Sequence, residues 1–179
     1  MDVGFTPLAL VVLVGPQASG KSALASSLAA HLRGQGERVA VVELDQVAAM
    51  ALPTLPSWET AHRIFETVTG MWARADLTCV IAEGSGEPDE VSGLLRQTPP
   101  DAVAITVATT APFEVALARA QADPTRGRSK DRDFLSRIYD AWPDKMAAID
   151  PSLVIDTSAH TLAECVERVR SAVDRARMA

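Results

Sequence analysis

Short, wholly apolar runs alternate with amphipathic stretches along the chain. Leu8–Val14 is apolar throughout and reads as a strand buried on both faces. Lys21–Arg33 has helical spacing and stops at Gly34 and Gly36. Val39–Leu44 is a second strand, closed by Asp45, and Pro53 and Pro56 mark a loop before a helix from about Ser57 to Ala75. Leu77–Ala82 is a third strand, followed by a loop at Glu83–Pro88 and a short helix to about Arg96. Ala102–Ala108 forms the fourth strand, and a helix from about Pro112 to Gln121 leads into the polar segment Asp123–Asp133. Phe134–Ile149 reads as helix, with Pro143 expected to kink or divide it. Leu153–Ile155 is a short fifth strand and Thr161–Arg177 the closing helix. There is no internal repeat and no low-complexity tract.

Strands alternating with helices predict right-handed crossovers and a five-stranded parallel sheet with helices on both faces, in one α/β domain over residues 1–179. Ligands of such sheets bind outside the carboxyl ends of the strands. Gly15–Ser22, Asp45, Glu83 and Thr109 all fall just after predicted strands, so they are expected to line one edge.

Composition narrows this picture. The chain is 47% hydrophobic and only 4% aromatic, so its core is built from Ala, Val, Leu and Ile. A net charge of -6 argues against general affinity for nucleic-acid backbones, and no nucleic-acid partner is expected. Cys79 and Cys165 are isolated, giving neither a disulfide framework nor a metal cluster; they read as buried thiols in a reducing cytoplasm. The first apolar run has no basic segment before it and ends at a glycine loop, so it is a strand and not a signal peptide. No stretch is long and apolar enough to cross a membrane.

The chemistry begins at Gly15-Pro16-Gln17-Ala18-Ser19-Gly20-Lys21-Ser22, a full G-x-x-x-x-G-K-[ST] signature between strand and helix. Gly15 and Gly20 allow close backbone approach, successive N–H groups face an anion, and the following helix adds its positive end. Lys21 supplies a mobile cation for β- and γ-phosphates, and the Ser22 hydroxyl can ligate Mg²⁺. This predicts binding of a nucleoside triphosphate, ATP, with Mg²⁺.

Three further features bear on the fate of the γ-phosphate. Asp45 could accept a proton from an attacking hydroxyl or hold a metal-bound water; the alternative is an N-cap aspartate. Glu43 alternates away from it and is the weaker candidate. Glu83 ends the third strand where other P-loop proteins carry Asp, and could hold a Mg²⁺ water, meet a polar substrate group, or cap the next helix. The basic segment Arg126-Gly127-Arg128-Ser129-Lys130-Asp131-Arg132 suits a lid over about residues 123–133 that excludes water and offsets charge; a solvated charged loop is the alternative.

The cradle, Asp45, Glu83, the Arg119-to-Arg132 stretch and the ending Val154-Ile155-Asp156-Thr157-Ser158 resemble the small P-loop kinases over nearly the whole chain. That group includes shikimate, gluconate and adenylylsulfate kinases, chloramphenicol phosphotransferase, polynucleotide kinase and zeta toxins, and shares its three-layer fold with nucleoside monophosphate kinases. Asp45–Met50 is most similar to chloramphenicol phosphotransferase-like proteins. The resemblance implies Asp45 as general base, Arg126 or Arg128 on the ATP phosphates, Arg119 near the adenine and Asp156–Ser158, with Thr157, bordering the base. The motifs of shikimate or gluconate kinase that fix the substrate are missing.

The segment from about residue 51 to 75 is expected to cover the acceptor. Phe65, Met71 and Trp72 read mostly as core contacts, whereas Trp58, beside Ser57 and Glu59, is a candidate to face a ligand. His62, Tyr139 and Trp142 read as packing residues. The expected activity is ATP- and Mg²⁺-dependent transfer of the γ-phosphate to a hydroxyl of a small, uncharged or weakly polar molecule. The alternatives are a nucleotide, nucleoside, polynucleotide-end or sugar-nucleotide kinase, and an ATP-binding regulatory protein without phosphotransfer.

Overall fold

In the computed structural model, which describes residues 6–179, strand β1 (Ala9–Val14) is buried along its whole length. Residues 1–5, which the single-domain expectation included, lie outside the described residues. Alternate side chains of a strand point to opposite faces, and β1 divides its apolar residues accordingly. Ala9, Val11 and Leu13 pack with Leu24, Leu28 and Leu32 of helix α1 (Lys21–Gly34) and with Val169 and Val173 of α7 (Leu162–Met178). Leu10, Val12 and Val14 pack on the other side with Phe65 of α3 (Trp58–Ala73), Leu94 of α4 (Pro88–Leu95) and Trp142 of α6 (Arg132–Ile149).

The remaining strands are β2 (Val39–Glu43), β3 (Cys79–Glu83), β4 (Val103–Thr110) and β5 (Leu153–Asp156). All pairings are parallel and the order is β2-β3-β1-β4-β5, with helices on both faces as the sequence predicts. Because β1 lies between β3 and β4, the loop leaving it emerges between the carboxyl ends of both neighbours. Such a crevice is where open parallel sheets bind ligands.

Several element boundaries differ from the sequence expectations. Strand β2 ends at Glu43 and Leu44 begins a short helix, α2 (Leu44–Ala49), so Asp45 stands in a first helical turn. Strand β4 extends to Thr110 because Thr109 and Thr110 pair with Ile155 and Asp156; Thr109 is thus inside the strand and not after it. Pro143 lies within one continuous helix and does not divide α6, whose buried Trp142 anchors it to the sheet. Along α3, Ala61, Phe65, Thr69 and Ala73 recur every fourth residue and take the inner face. Met71 and Trp72 fall out of that phase and are exposed by 69% and 46%, which corrects their reading as core contacts. Cys79 and Cys165 are buried free thiols, as expected.

Caps fix the helix starts. Ser57 accepts from the Thr60 N–H at the head of α3, and Thr161 forms a capping box with Glu164 at the head of α7. At the far end of α7, Arg177 binds Glu37 through both guanidinium nitrogens (2.9 and 2.8 Å) and donates to the backbone oxygens of Pro7 and Thr78. No helix among the described residues is long and apolar enough to cross a membrane.

Candidate active site

The loop between β1 and α1 wraps so tightly that its first glycine cannot be replaced without moving its surroundings. A Cβ on Gly15 would lie 2.1 Å from Thr109 Oγ1 and 2.9 Å from Ser19 Oγ. These two buried hydroxyls are hydrogen-bonded to each other at 2.7 Å, and Thr109 also donates to the Val14 carbonyl at 3.2 Å. Strand β4 therefore holds the cradle from beneath. Ala18 and Gly20 take left-handed backbone (φ 62° and 94°), and Gly20 is the N-cap of α1. The loop is fastened from above by the Tyr139 hydroxyl of α6, which donates to the Gln17 carbonyl at 3.0 Å. Burial pushes that phenol up to about 12, so it stays a donor across the physiological range.

Lys21 curls back over the loop, its ammonium donating to the carbonyls of Gly15 (2.7 Å) and Pro16 (3.2 Å). Two of its three donors are thus occupied and one is left for a ligand. Burial pushes the Lys21 pKa down, opposed by the negative charges of Glu83 and Asp45. Both carboxylates share a cleft of about 220 Å³ with Lys21, Gly15, Pro16 and Gln17.

Asp45 is exposed and lines this cleft, and it does not cap its helix: the N-cap of α2 is Glu43, with no side-chain cap bond. Glu83 is not a cap either, since α4 starts from Glu87. The Glu83 Oε1 accepts from the Ser22 hydroxyl at 2.8 Å, while its buried Oε2 has no partner. Burial pushes the Glu83 pKa up, against the pull of Lys21 and the Ser22 hydrogen bond. An unpartnered carboxylate oxygen beside a hydroxyl is a hard, oxygen-only donor set. That set fits Mg²⁺, which takes one or two protein ligands and completes its shell with water and phosphate oxygens. No group of three His, Cys, Asp or Glu side chains among the described residues could hold a metal ion on its own.

Arg119, on α5 (Phe113–Ala122), donates to the Thr157 hydroxyl (2.8 Å) and carbonyl (3.1 Å), and Thr157 donates to the Ser19 carbonyl at 2.7 Å. This chain of bonds couples the β5 loop to the cradle. Arg119 and Thr157 line a second pocket of about 340 Å³ beside Gly20 and Leu24, across α1 from the carboxylates.

The arginines of the basic segment are occupied locally. Arg126 pairs with Asp123 (3.3 Å), Arg128 lies 4.5 Å over the Phe134 ring, and Arg132 makes a two-pronged bond to Glu114 (2.8 and 2.9 Å). Of the two arginines singled out from the sequence, Arg126 is the one whose charge acts on Lys21; Arg128 is turned onto Phe134. Trp58 is 53% exposed and does not line the cleft with Asp45, because it occupies the first position of α3 on the outer side.

Sequence reading did not place Leu44, Ser85, Glu87, Ile138 or Lys145 in the cleft. Lys145 is ion-paired with Glu87 and shares α6 with Ile138. Their helical spacing of seven carried a signal, since residues two turns apart share one face. Lys145 also puts a charge in a cleft for which the sequence led to an uncharged or weakly polar acceptor. Thr109 was visible as an edge residue, but its grip on Ser19 has no signature along the chain.

No family model matches the chain, and no curated protein matches it. Solved structures do. A shikimate kinase from Acinetobacter baumannii, in complex with shikimate, aligns with a TM-score of 0.65 at 18% identity over 94% of this chain and 94% of that one. A shikimate kinase from Bacteroides thetaiotaomicron gives 0.66 at 16% identity over 93% and 98%. A sugar kinase from Janibacter sp. gives 0.62 at 21% identity over 96% and 98%. At these identities the likeness is one of fold: the chain shares the five-stranded, all-parallel α/β architecture of these proteins.

Proposed function

We propose that the protein is a P-loop kinase that transfers the γ-phosphate of ATP to a hydroxyl of a small molecule. The observation that carries this reading is the shared cleft: a free carboxylate, Asp45, faces the phosphate-binding Lys21 across a space large enough for a reacting pair. Asp45 has no cap bond and no ion pair among the described residues, which leaves it available to an acceptor hydroxyl.

In this reading Gly15–Gly20 present backbone N–H groups to the phosphates and Lys21 turns its free donor toward the β- and γ-oxygens. Ser22 and Glu83 would hold Mg²⁺, which when bound would offset charge on the phosphates. Asp45 orients the acceptor hydroxyl and takes its proton as the oxygen bonds to the γ-phosphorus. The bond from that phosphorus to the bridging oxygen breaks, leaving ADP. Arg126 leaves Asp123 to offset charge on the moving group, and Arg128 is the second candidate for that role. Arg119 and Thr157 border the nucleobase.

The test is a screen of sugars, polyols, hydroxy acids, amino alcohols, nucleosides and hydroxylated antibiotics with MgATP. ADP release stimulated by one class, with a phosphorylated product detected by mass spectrometry, supports the reading. Slow hydrolysis that no acceptor stimulates contradicts it.

A further inference from the structure

Behind the cleft, a buried carboxylate is used by nothing in the scheme above. Glu90, on α4, has a side chain only 3% exposed, yet it stands at the centre of a small network. Its Oε1 accepts from the Gly86 N–H at 3.1 Å, and its Oε2 accepts from the Ser85 hydroxyl at 3.2 Å. The His62 Nδ1 of α3 approaches Oε2 at 2.8 Å. The carboxylate also fits against Gly84 so closely that a Cβ there would lie 2.2 Å from Oε1.

The strip Gly84–Gly86 is thus fixed from several directions. Its first N–H donates to the Leu13 carbonyl of β1 at 3.0 Å. A Cβ on Gly86, whose φ is +88°, would lie 2.6 Å from the Trp142 ring, so the far side is closed as well. Gly84 and Ser85 line the cleft with Asp45, whereas the cradle loop has its own supports in Thr109, Tyr139 and Thr157. The two halves of the cleft are therefore held by different side chains, and Glu90 reaches the nucleotide half through its charge, which acts on Lys21.

We propose that Glu90, braced by His62, is a positioning residue that sets the Gly84–Gly86 strip as the acceptor wall opposite Asp45, and that it makes no bond to the cradle loop. The word acceptor rests on the phosphotransfer reading; the clamp itself does not. Two hydrogen bonds and the His62 ring converge on one buried carboxylate, and burying a polar group is costly unless it is bonded. Losing them frees a glycine-rich strip whose one side-chain anchor, the Ser85 hydroxyl, itself depends on Glu90.

The experiment compares wild type with Glu90→Ala, Glu90→Gln and His62→Ala by hydrogen–deuterium exchange, binding of a fluorescent ADP analogue and steady-state kinetics. Glu90→Ala is expected to speed exchange of residues 84–87 by about 10- to 100-fold, the loss of bonds to a buried charged group, while residues 15–22 keep the wild-type rate. Affinity for the ADP analogue stays within about threefold, and the KM of whichever hydroxyl compound the screen identifies rises about tenfold or more, with a smaller change in kcat. Glu90→Gln keeps the bond from Gly86 and restores most of the exchange protection and the KM. His62→Ala, which leaves the bonds to Gly86 and Ser85 in place, gives an intermediate effect confined to the same strip. It decides the matter if Glu90→Ala does not fold.

Unchanged exchange at 84–87, or equal loosening at 15–22, overturns the proposal. So does an acceptor KM that stays at the wild-type value while the strip loosens. Loosening confined to the strip in a protein that phosphorylates no hydroxyl compound overturns the acceptor role and contradicts the phosphotransfer reading, but leaves the clamp.

Discussion

Replacing Gly15 with alanine probes the support of the cradle most severely. The new methyl group would start 2.1 Å from Thr109 Oγ1, 2.8 Å from the Thr109 carbonyl and 2.9 Å from Ser19 Oγ, so either the loop or strand β4 must move. The hydroxyl can rotate away; the carbonyl belongs to a paired strand and cannot. Overpacking of this kind costs about 1–3 kcal/mol. Breaking the buried Ser19–Thr109 bond adds about 1–3 kcal/mol, because each hydroxyl loses a partner it cannot replace with water. For a chain of this length each kcal/mol lowers Tm by about 2–4 °C, so the variant should melt roughly 5–20 °C below wild type. The displaced N–H groups should also weaken MgATP binding by about 10- to 100-fold. Differential scanning fluorimetry with and without MgATP reads both effects. Gly34→Ala is the control: its methyl meets nothing within 4 Å, and in the last turn of α1 it should be neutral or stabilising by up to about 1 kcal/mol. A Gly15→Ala protein with wild-type Tm and a full MgATP-induced shift would refute the reasoning that β4 sets the loop.

Two further outcomes follow from ionisable groups. Burial pushes Glu37 up, but the hydrogen bonds and charge of Arg177 outweigh it and hold the carboxyl below its usual value. Its pair with Arg177 therefore contributes stability that is present above about pH 4.5 and lost as pH falls through the folded-state value. Arg177→Met should cost about 1–3 kcal/mol at neutral pH and flatten this acid limb in urea melts; an unchanged limb would contradict the assignment. Glu83 shifts the other way, so its charge opposes folding increasingly as pH rises above 4.5. Glu83→Gln should raise the Tm of the ligand-free protein at neutral pH while reducing the Mg²⁺-dependent part of the ATP-induced shift, and a lower ligand-free Tm would count against it.

The architecture was legible because its signals are local. Wholly apolar runs, glycine stops and the cradle signature each sit in one stretch of chain, and their order dictates a parallel sheet. The candidate site was legible wherever a residue follows a strand, which is how Lys21, Asp45 and Glu83 come to share one cleft. What escaped depends on contacts between distant segments. Tyr139 grips Gln17 across 122 positions and Thr109 grips Ser19 across 90, and neither leaves a periodic mark. Met71 and Trp72 misled for the converse reason: an aromatic or apolar side chain on an amphipathic helix resembles core until the phase of its neighbours is fixed. The charge run Arg126–Arg132 was half informative, since its local partners Asp123, Phe134 and Glu114 were all in reach along the sequence.

The central claim is that the cleft joins a phosphate donor site to a catalytic base. Asp45→Asn tests it most directly, because the residue is exposed, uncapped and free to change without disturbing the fold. Transfer of labelled γ-phosphate to the acceptor found by screening is measured beside the affinity for MgATP. The account predicts affinity within about threefold of wild type and transfer reduced by about 10²–10⁴-fold, the usual contribution of general base catalysis. Wild-type transfer by Asp45→Asn would contradict it.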